Sequence, residues 1–108
     1  MSTRNFDDDA VFRALADPRR RRILDLLRAE PRTTGAICAE FPEINRCTVM
    51  QHLGVLEQAG LVMVKREGRL RWNYIDPLPI REIHQRWIGD YADNAIGILA
   101  KMKRAMEG

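Results

Sequence analysis

The sequence predicts a mainly α chain with one β-hairpin: four helices, the hairpin, then a long last helix. Three observations carry this. Apolar residues recur at helical spacing from residue 11 to residue 59, punctuated by proline and capping residues; the period changes to 2 over residues 61–74; and it returns to 3.6 from residue 79 onward. The 108 residues, 45% of them apolar and 31% charged, suit one globular domain spanning 1–108, large enough to fold without disulfides or a structural metal.

Each element has a local cause. Asp7-Asp8-Asp9 favours a helix start, and Val11, Phe12 and Leu15 follow at helical spacing. Asp17-Pro18 is a break and a restart, with Asp as cap and Pro at the first helical position; this second helix runs to about Ala29 and buries Ile23, Leu24, Leu26 and Leu27. Pro31 ends it. Thr33 or Thr34 caps a short third helix through Ile37, Cys38 and Phe41, stopped by Pro42. Asn45 caps a fourth, Arg46 to about Ala59, with Gly60 as its left-handed C-terminal residue. Strands Leu61–Arg66 and Arg69–Tyr74 then flank a two-residue turn, Glu67-Gly68. Alternation puts Leu70, Trp72 and Tyr74 on the face toward the body and Arg69, Arg71 and Asn73 toward solvent or a ligand. Asp76-Pro77-Leu78-Pro79 ends the strand, and a helix follows from about Pro79 to Met106.

That last helix carries an apolar stripe over three heptads. At 1.5 Å per residue it spans about 42 Å, whereas a domain of this size has a radius of gyration of only about 13 Å. The excess stripe needs a partner, most simply a second copy of the chain. The residues expected at that interface are Val11, Ile83, Trp87, Ile88, Tyr91, Ile98, Leu99 and Met102. Trp87 and Tyr91 read first as packing residues; lining a small-molecule pocket between dimer helices is the alternative.

The net charge of +3 is local. Residues 1–44 hold eight Arg and eight acids, and residues 75–108 five bases and five acids; residues 45–74 hold Arg46, Lys65, Arg66, Arg69 and Arg71 against Glu57 and Glu67. Charge segregated this way points to a polyanion. Two short helices joined by a turn (33–60), the second running into a basic hairpin (61–75) and followed by a helix at 79–106, is the order of a winged helix-turn-helix, whose second helix enters the major groove of DNA. Wheeling that helix turns Val49, Leu53 and Leu56 to the core and Cys47, Met50, Gln51, Gly54 and Gln58 outward. Arg46, Cys47, Thr48 and Gln51 occupy its first turns, where Gln suits adenine, Arg suits guanine or phosphate, and a Thr methyl suits thymine. Lys65, Arg66, Arg69 and Arg71 on the wing suit phosphate or a narrow minor groove.

The runs Phe12-Arg13-Ala14-Leu15-Ala16-Asp17-Pro18-Arg19-Arg20, Ile23-Leu24-Asp25-Leu26-Leu27, Thr48 through Val62 with its His-Leu-x-x-Leu-x-x-Ala-Gly-Leu-Val stretch, Glu67-Gly68-Arg69 and Tyr74 resemble the ArsR/SmtB family of bacterial transcriptional regulators over residues 10–76. The resemblance implies a homodimeric winged-helix repressor on a short inverted repeat, its first and last helices forming the dimer. It does not identify an inducer. Family metal sites use a Cys-x-Cys pair before the recognition helix, where this chain has only Cys38, or Asp and several His along the last helix, which here has His84, Asp90 and Asp93 but no second His. Four donors for a tetrahedral ion are assembled by neither route, so no metal or other cofactor is expected.

Other features admit two readings. Arg19-Arg20-Arg21-Arg22 reads as a solvated face or as a phosphate contact; His52 as helix packing or a phosphate contact; Cys38 as a small buried hydrophobe. Cys47, beside Arg46 at a helix start, reads as a neutral groove-facing side chain or as a reactive thiol, which makes a redox-sensing repressor one alternative function. A winged-helix module for protein association is another, disfavoured by the basic wing. Catalysis is not expected, because the chain has no Gly-rich phosphate loop, Ser-centred elbow or organised carboxylate–His set. With no run of about 18 apolar residues and no apolar signal core in its first nine residues, the chain reads as a soluble cytoplasmic protein.

Overall fold

The computed structural model describes residues 7–107; the part of the N-terminal reading that fell on Met1–Phe6 lies outside them. Asp7 caps α1 (Asp8–Leu15), its carboxylate accepting the Ala10 amide at 3.2 Å. Asp17 caps α2 (Pro18–Ala29), accepting the Arg19 and Arg20 amides at 2.8 and 3.4 Å. The carbonyls left open where α1 ends are filled by arginines of α2. Arg20 donates through Nε to Ala14 O at 2.8 Å and through Nη2 to Arg13 O at 2.9 Å, and Arg21 donates to Leu15 O at 2.6 Å. Arg22 reaches Glu40 at 3.5 Å and lies over the Phe41 ring, and Arg19 faces Glu43 at 3.9 Å. All four residues of the arginine run are thus engaged within the chain, an arrangement that neither reading from sequence included.

A two-residue strand, β1 (Arg32–Thr33), precedes α3 (Thr34–Ala39). Nothing in the sequence marks β1, since two residues show no period. Thr33 caps α3 through Ala36 N, and Asn45 caps α4 (Arg46–Gln58) through Thr48 N at 2.8 Å. At the far end of α4, Gly60 adopts φ +80°, its amide donates to Glu57 O, and the Leu61 amide donates to Leu56 O at 2.9 Å. This paired Schellman closure turns the chain directly into β2 (Val62–Glu67).

β2 and β3 (Leu70–Ile75) pair antiparallel, and β1 joins the far edge of β3 to give the order β1-β3-β2. Glu67 pairs with Leu70, so the turn residues are Gly68 and Arg69, one position later than predicted, with Gly68 at φ +60°. Only glycine has positive φ here, the pattern of a II′-type turn. The predicted faces of β3 are reversed. Asn73 is fully buried, opposite Val64, and Arg71 lies opposite Arg66 on the same inner face; Leu70 is 51% exposed on the outer one. The cause is a hydrogen-bonded amide: Asn73 Nδ2 lies 3.1 Å from Thr34 Oγ1 and 3.2 Å from Arg32 O, tying the sheet to α3.

The core gathers Val11 and Ala14 of α1, Ile23, Leu24 and Leu27 of α2, Ile37, Phe41, the Val49/Leu53/Leu56 face of α4, Leu61, Val62 and Ile83. Each large side chain buried here contributes about 1.5–3 kcal/mol. Val11 (0% exposed) and Ile83 (2%) are therefore core residues of the protomer, which corrects their placement at a dimer surface. The last helix is continuous but not uniform: α5 (Leu78–Ile83), a π segment (His84–Ile88) and α6 (Gly89–Glu107). The wide turn closes on Gly89, whose amide donates to His84 O; a Cβ there would stand 2.8 Å from that oxygen, so glycine is required. Arg86 Nη2 meets Asp8 Oδ1 at 2.8 Å, and Phe12, Trp87 and Tyr91 form two successive edge-to-face contacts, which dock α1 against the π segment. α6 buries no residue. The radius of gyration is accordingly 18.2 Å, against about 13 Å for a compact chain of this length.

Replacing Asn73 by Ala leaves Thr34 Oγ1 and the Arg32 carbonyl without this donor and should lower stability by about 1–3 kcal/mol, a fall of several degrees in Tm measurable by calorimetry. The Asp17 carboxyl is pushed up by desolvation, but the Arg19 and Arg20 amides, His52 and the Arg20 charge outweigh that and hold it below its ordinary value. A depressed acid stabilises the fold above its unfolded pKa, and the contribution disappears as pH falls through the folded one. Asp17→Ala should therefore cost about 1 kcal/mol at neutral pH, with the gap to the parent closing below about pH 4 in urea titrations.

Candidate nucleic-acid interface

The start of α4 is open to solvent because its opposite face is anchored. Val49, Leu53 and Leu56 are fully buried, which leaves Arg46, Cys47 and Gln51 exposed in the first turns. Thr48 is half-buried, and its hydroxyl donates to Asn45 Oδ1 at 3.0 Å. Met50 is half-buried and not fully outward as the helical wheel had it. His52 is half-buried with Nδ1 3.4 Å from Arg20 Nη1, which places it in the contact between α4 and α2.

Beside this helix start lies a groove of about 350 Å³ lined by Thr33, Thr34, Gly35, Arg46, Met50, Arg66, Arg69, Leu70 and Arg71. It brings together residues from α3, α4 and both wing strands, and four guanidinium side chains line it. Arg46, Arg66 and Arg69 pair with no described carboxylate. A concave, cationic surface next to an exposed helix start has the charge and shape to accept a phosphate backbone.

The predicted wing bases do not behave alike. Arg66 and Arg69 line the groove. Lys65 lies opposite Trp72 on the outer face of the sheet, 3.4 Å from Glu67. Arg71 lines the groove as well, but its side chain is only 20% exposed and is bound to Glu57 at 2.9 Å. Nothing in the sequence links residues 57 and 71; the pair exists because the wing folds back over the end of α4. The contributions of Thr33, Thr34 and Gly35 were missed for a similar reason, since only β1 pairing brings them to the wing.

Cys47 is exposed at the helix start, while Cys38 is half-buried against the core. Among the described residues, no three His, Cys, Asp or Glu side chains gather in a group able to hold a metal ion. On the last helix, Trp87, Asp90, Tyr91, Asn94 and Ile98 line a second concavity of about 350 Å³. Ile88, Tyr91, Ile98, Leu99 and Met102 are exposed along the same helix. No helix among the described residues is long and apolar enough to cross a membrane.

Comparison with known proteins agrees with this geometry. A helix-turn-helix domain family matches residues 15–65. The chain is 37% identical over 90 residues to the uncharacterized HTH-type transcriptional regulator YuzN of Bacillus subtilis, covering 78% of this chain and 98% of that protein. It is 41% identical over 59 residues to the transcriptional repressor SdpR of the same organism, covering 55% of this chain and 64% of that one. Among solved structures, an ArsR family transcriptional regulator superposes with a TM-score of 0.73 at 26% identity over 85% of this chain and 94% of its own. With the helix order, the hairpin wing and these matches together, the chain belongs to the ArsR/SmtB-type family of winged helix-turn-helix transcriptional regulators.

Proposed function

We propose that the chain is a homodimeric, cytoplasmic repressor that places α4 in the major groove of each half of an inverted-repeat operator and excludes RNA polymerase from the promoter. The observation that carries this reading is the convergence of Arg46, Arg66 and Arg69, all without acidic partners among the described residues, on the groove beside the exposed start of α4. Arginines left free in this way gain affinity by releasing counterions from DNA, while Gln51 and the Thr48 methyl offer base contacts. The dimer is supported by α6, which buries nothing in the protomer and exposes Ile98 at 56% and Leu99 at 63%. A two-fold dimer presents two copies of α4 to half-sites about one helical turn, or a multiple of it, apart. The SdpR relative is itself named a transcriptional repressor.

Binding measured across a salt series separates the roles. Arg66→Ala and Arg69→Ala should each weaken binding to all sequences and reduce the slope of log K against log[salt] by about 0.9 for every phosphate left without its cation. Gln51→Ala should instead alter which sequence is selected from a random DNA pool, by about 1–3 kcal/mol at one base position. Retained affinity in all three variants would rule out this interface. For the dimer, Ile98→Asp should yield a helical monomer by analytical ultracentrifugation that no longer holds the operator; a monomer with parental affinity would overturn the dimeric reading.

A further inference from the structure

We infer that Arg71 and Glu57 form a clamp that sets the angle of the wing to the recognition helix, and that Arg71 acts on DNA through this geometry, as a positioning residue, without touching a phosphate. The inference rests on the DNA-binding reading above and concerns how that site is held.

The inner face of β3 is fixed at two places. Asn73 ties it to Thr34 and the Arg32 carbonyl on one side, and Arg71 Nη2 meets Glu57 Oε2 at 2.9 Å in the last turn of α4 on the other. Beyond residue 71 the hairpin projects freely, and its tip carries Arg69, with Arg66 directly opposite Arg71. At about 3.3 Å per residue, a tilt of roughly 10° at residue 71 moves a side chain two residues further on by about 1 Å, which lengthens and weakens a guanidinium–phosphate hydrogen bond while leaving the charge beside the phosphate.

The charges support the same assignment. Arg71 lines the groove, but its guanidinium is already paired and its Nε is buried without a partner, whereas Arg46, Arg66 and Arg69 have no described carboxylate. Glu57 is an acid near a surface meant for a polyanion. In electrostatic terms alone, removing it should strengthen DNA binding. If its carboxylate holds the wing in place, removing it should weaken binding. The two accounts differ in sign.

The experiment compares the full-length parent, Glu57→Gln, Arg71→Ala, and the charge-swapped double variant Glu57→Arg with Arg71→Glu. DNA selected from a random pool by the parent is titrated over a salt series, with thermal unfolding run alongside. The clamp predicts that both single variants lose about 1.5- to fivefold in affinity, the range open to one partly exposed ion pair, with the salt slope unchanged, and that the double variant recovers most of that affinity. A gain or no change in Glu57→Gln overturns the clamp, and a slope reduced by about 0.9 in Arg71→Ala would show Arg71 to be a direct phosphate ligand. Because Glu57→Gln alters a side chain that is 46% exposed, it decides the question even if Arg71→Ala fails to fold. A parent that enriches no DNA from the pool overturns the DNA-binding reading itself, an outcome distinct from failure of the clamp alone.

Discussion

The burial of one amide governs the geometry of the whole interface. A side-chain amide taken out of water without partners costs several kcal/mol, so a strand containing a buried Asn must present that residue to whatever acceptors the fold can supply. For Asn73 these are Thr34 Oγ1 and the Arg32 carbonyl, some forty residues earlier. Once residue 73 faces inward, the period of 2 leaves no choice for its neighbours: Arg71 and Ile75 also face inward, and Leu70, Trp72 and Tyr74 face outward. The inward Arg71 then meets Glu57, and the start of α3 is brought beside the wing to complete the basic groove.

Which parts of this were legible in the sequence follows from the range of the interactions. Helix boundaries depend on contacts three or four residues apart, and Asp7, Asp17, Thr33, Asn45 and Gly60 mark them where expected. The buried face of α4 was equally legible, because Val49, Leu53 and Leu56 repeat within one helix. The faces of β3 were not. Hydrophobicity favoured Leu70, Trp72 and Tyr74 as the inner set, and the competing preference of Asn73 depends on partners distant in the chain. The adjoining strand offered no arbitration, since Leu61-Val62-Met63-Val64 is apolar on both faces. Val11 and Ile83 were misplaced for a related reason: an apolar stripe shows that residues are covered, but not whether the protomer or a partner covers them.

Arginine serves two purposes here, and composition cannot separate them. Arg20 and Arg21 fill carbonyls at the end of α1, Arg22 stacks on Phe41 and reaches Glu40, and Arg86 pairs with Asp8. A planar guanidinium with five donors can close a helix corner where the short loop leaves no room for further backbone. Arg46, Arg66 and Arg69 have no such acceptors among the described residues. The distinction tracks local charge balance: residues 1–44 carry as many acids as bases, whereas residues 45–74 carry the whole excess. Mutating the longest basic run in the chain would therefore probe folding first.

The π segment explains why one helix serves both the protomer and its surroundings. A wide turn inserts an extra residue into the helical repeat and so rotates the apolar stripe relative to the turns before it. Ile83 points into the core just before the segment, whereas α6 after it buries nothing. The same segment is pinned to α1 through Arg86–Asp8 and Phe12–Trp87, and α1 packs in turn against α4. Whatever covers the stripe on α6 therefore bears on an unbroken chain of packed contacts that ends at the recognition helix. A ligand that favours one arrangement of this joint over another would shift the DNA-binding surface by its differential affinity for the two, with no need to touch α4.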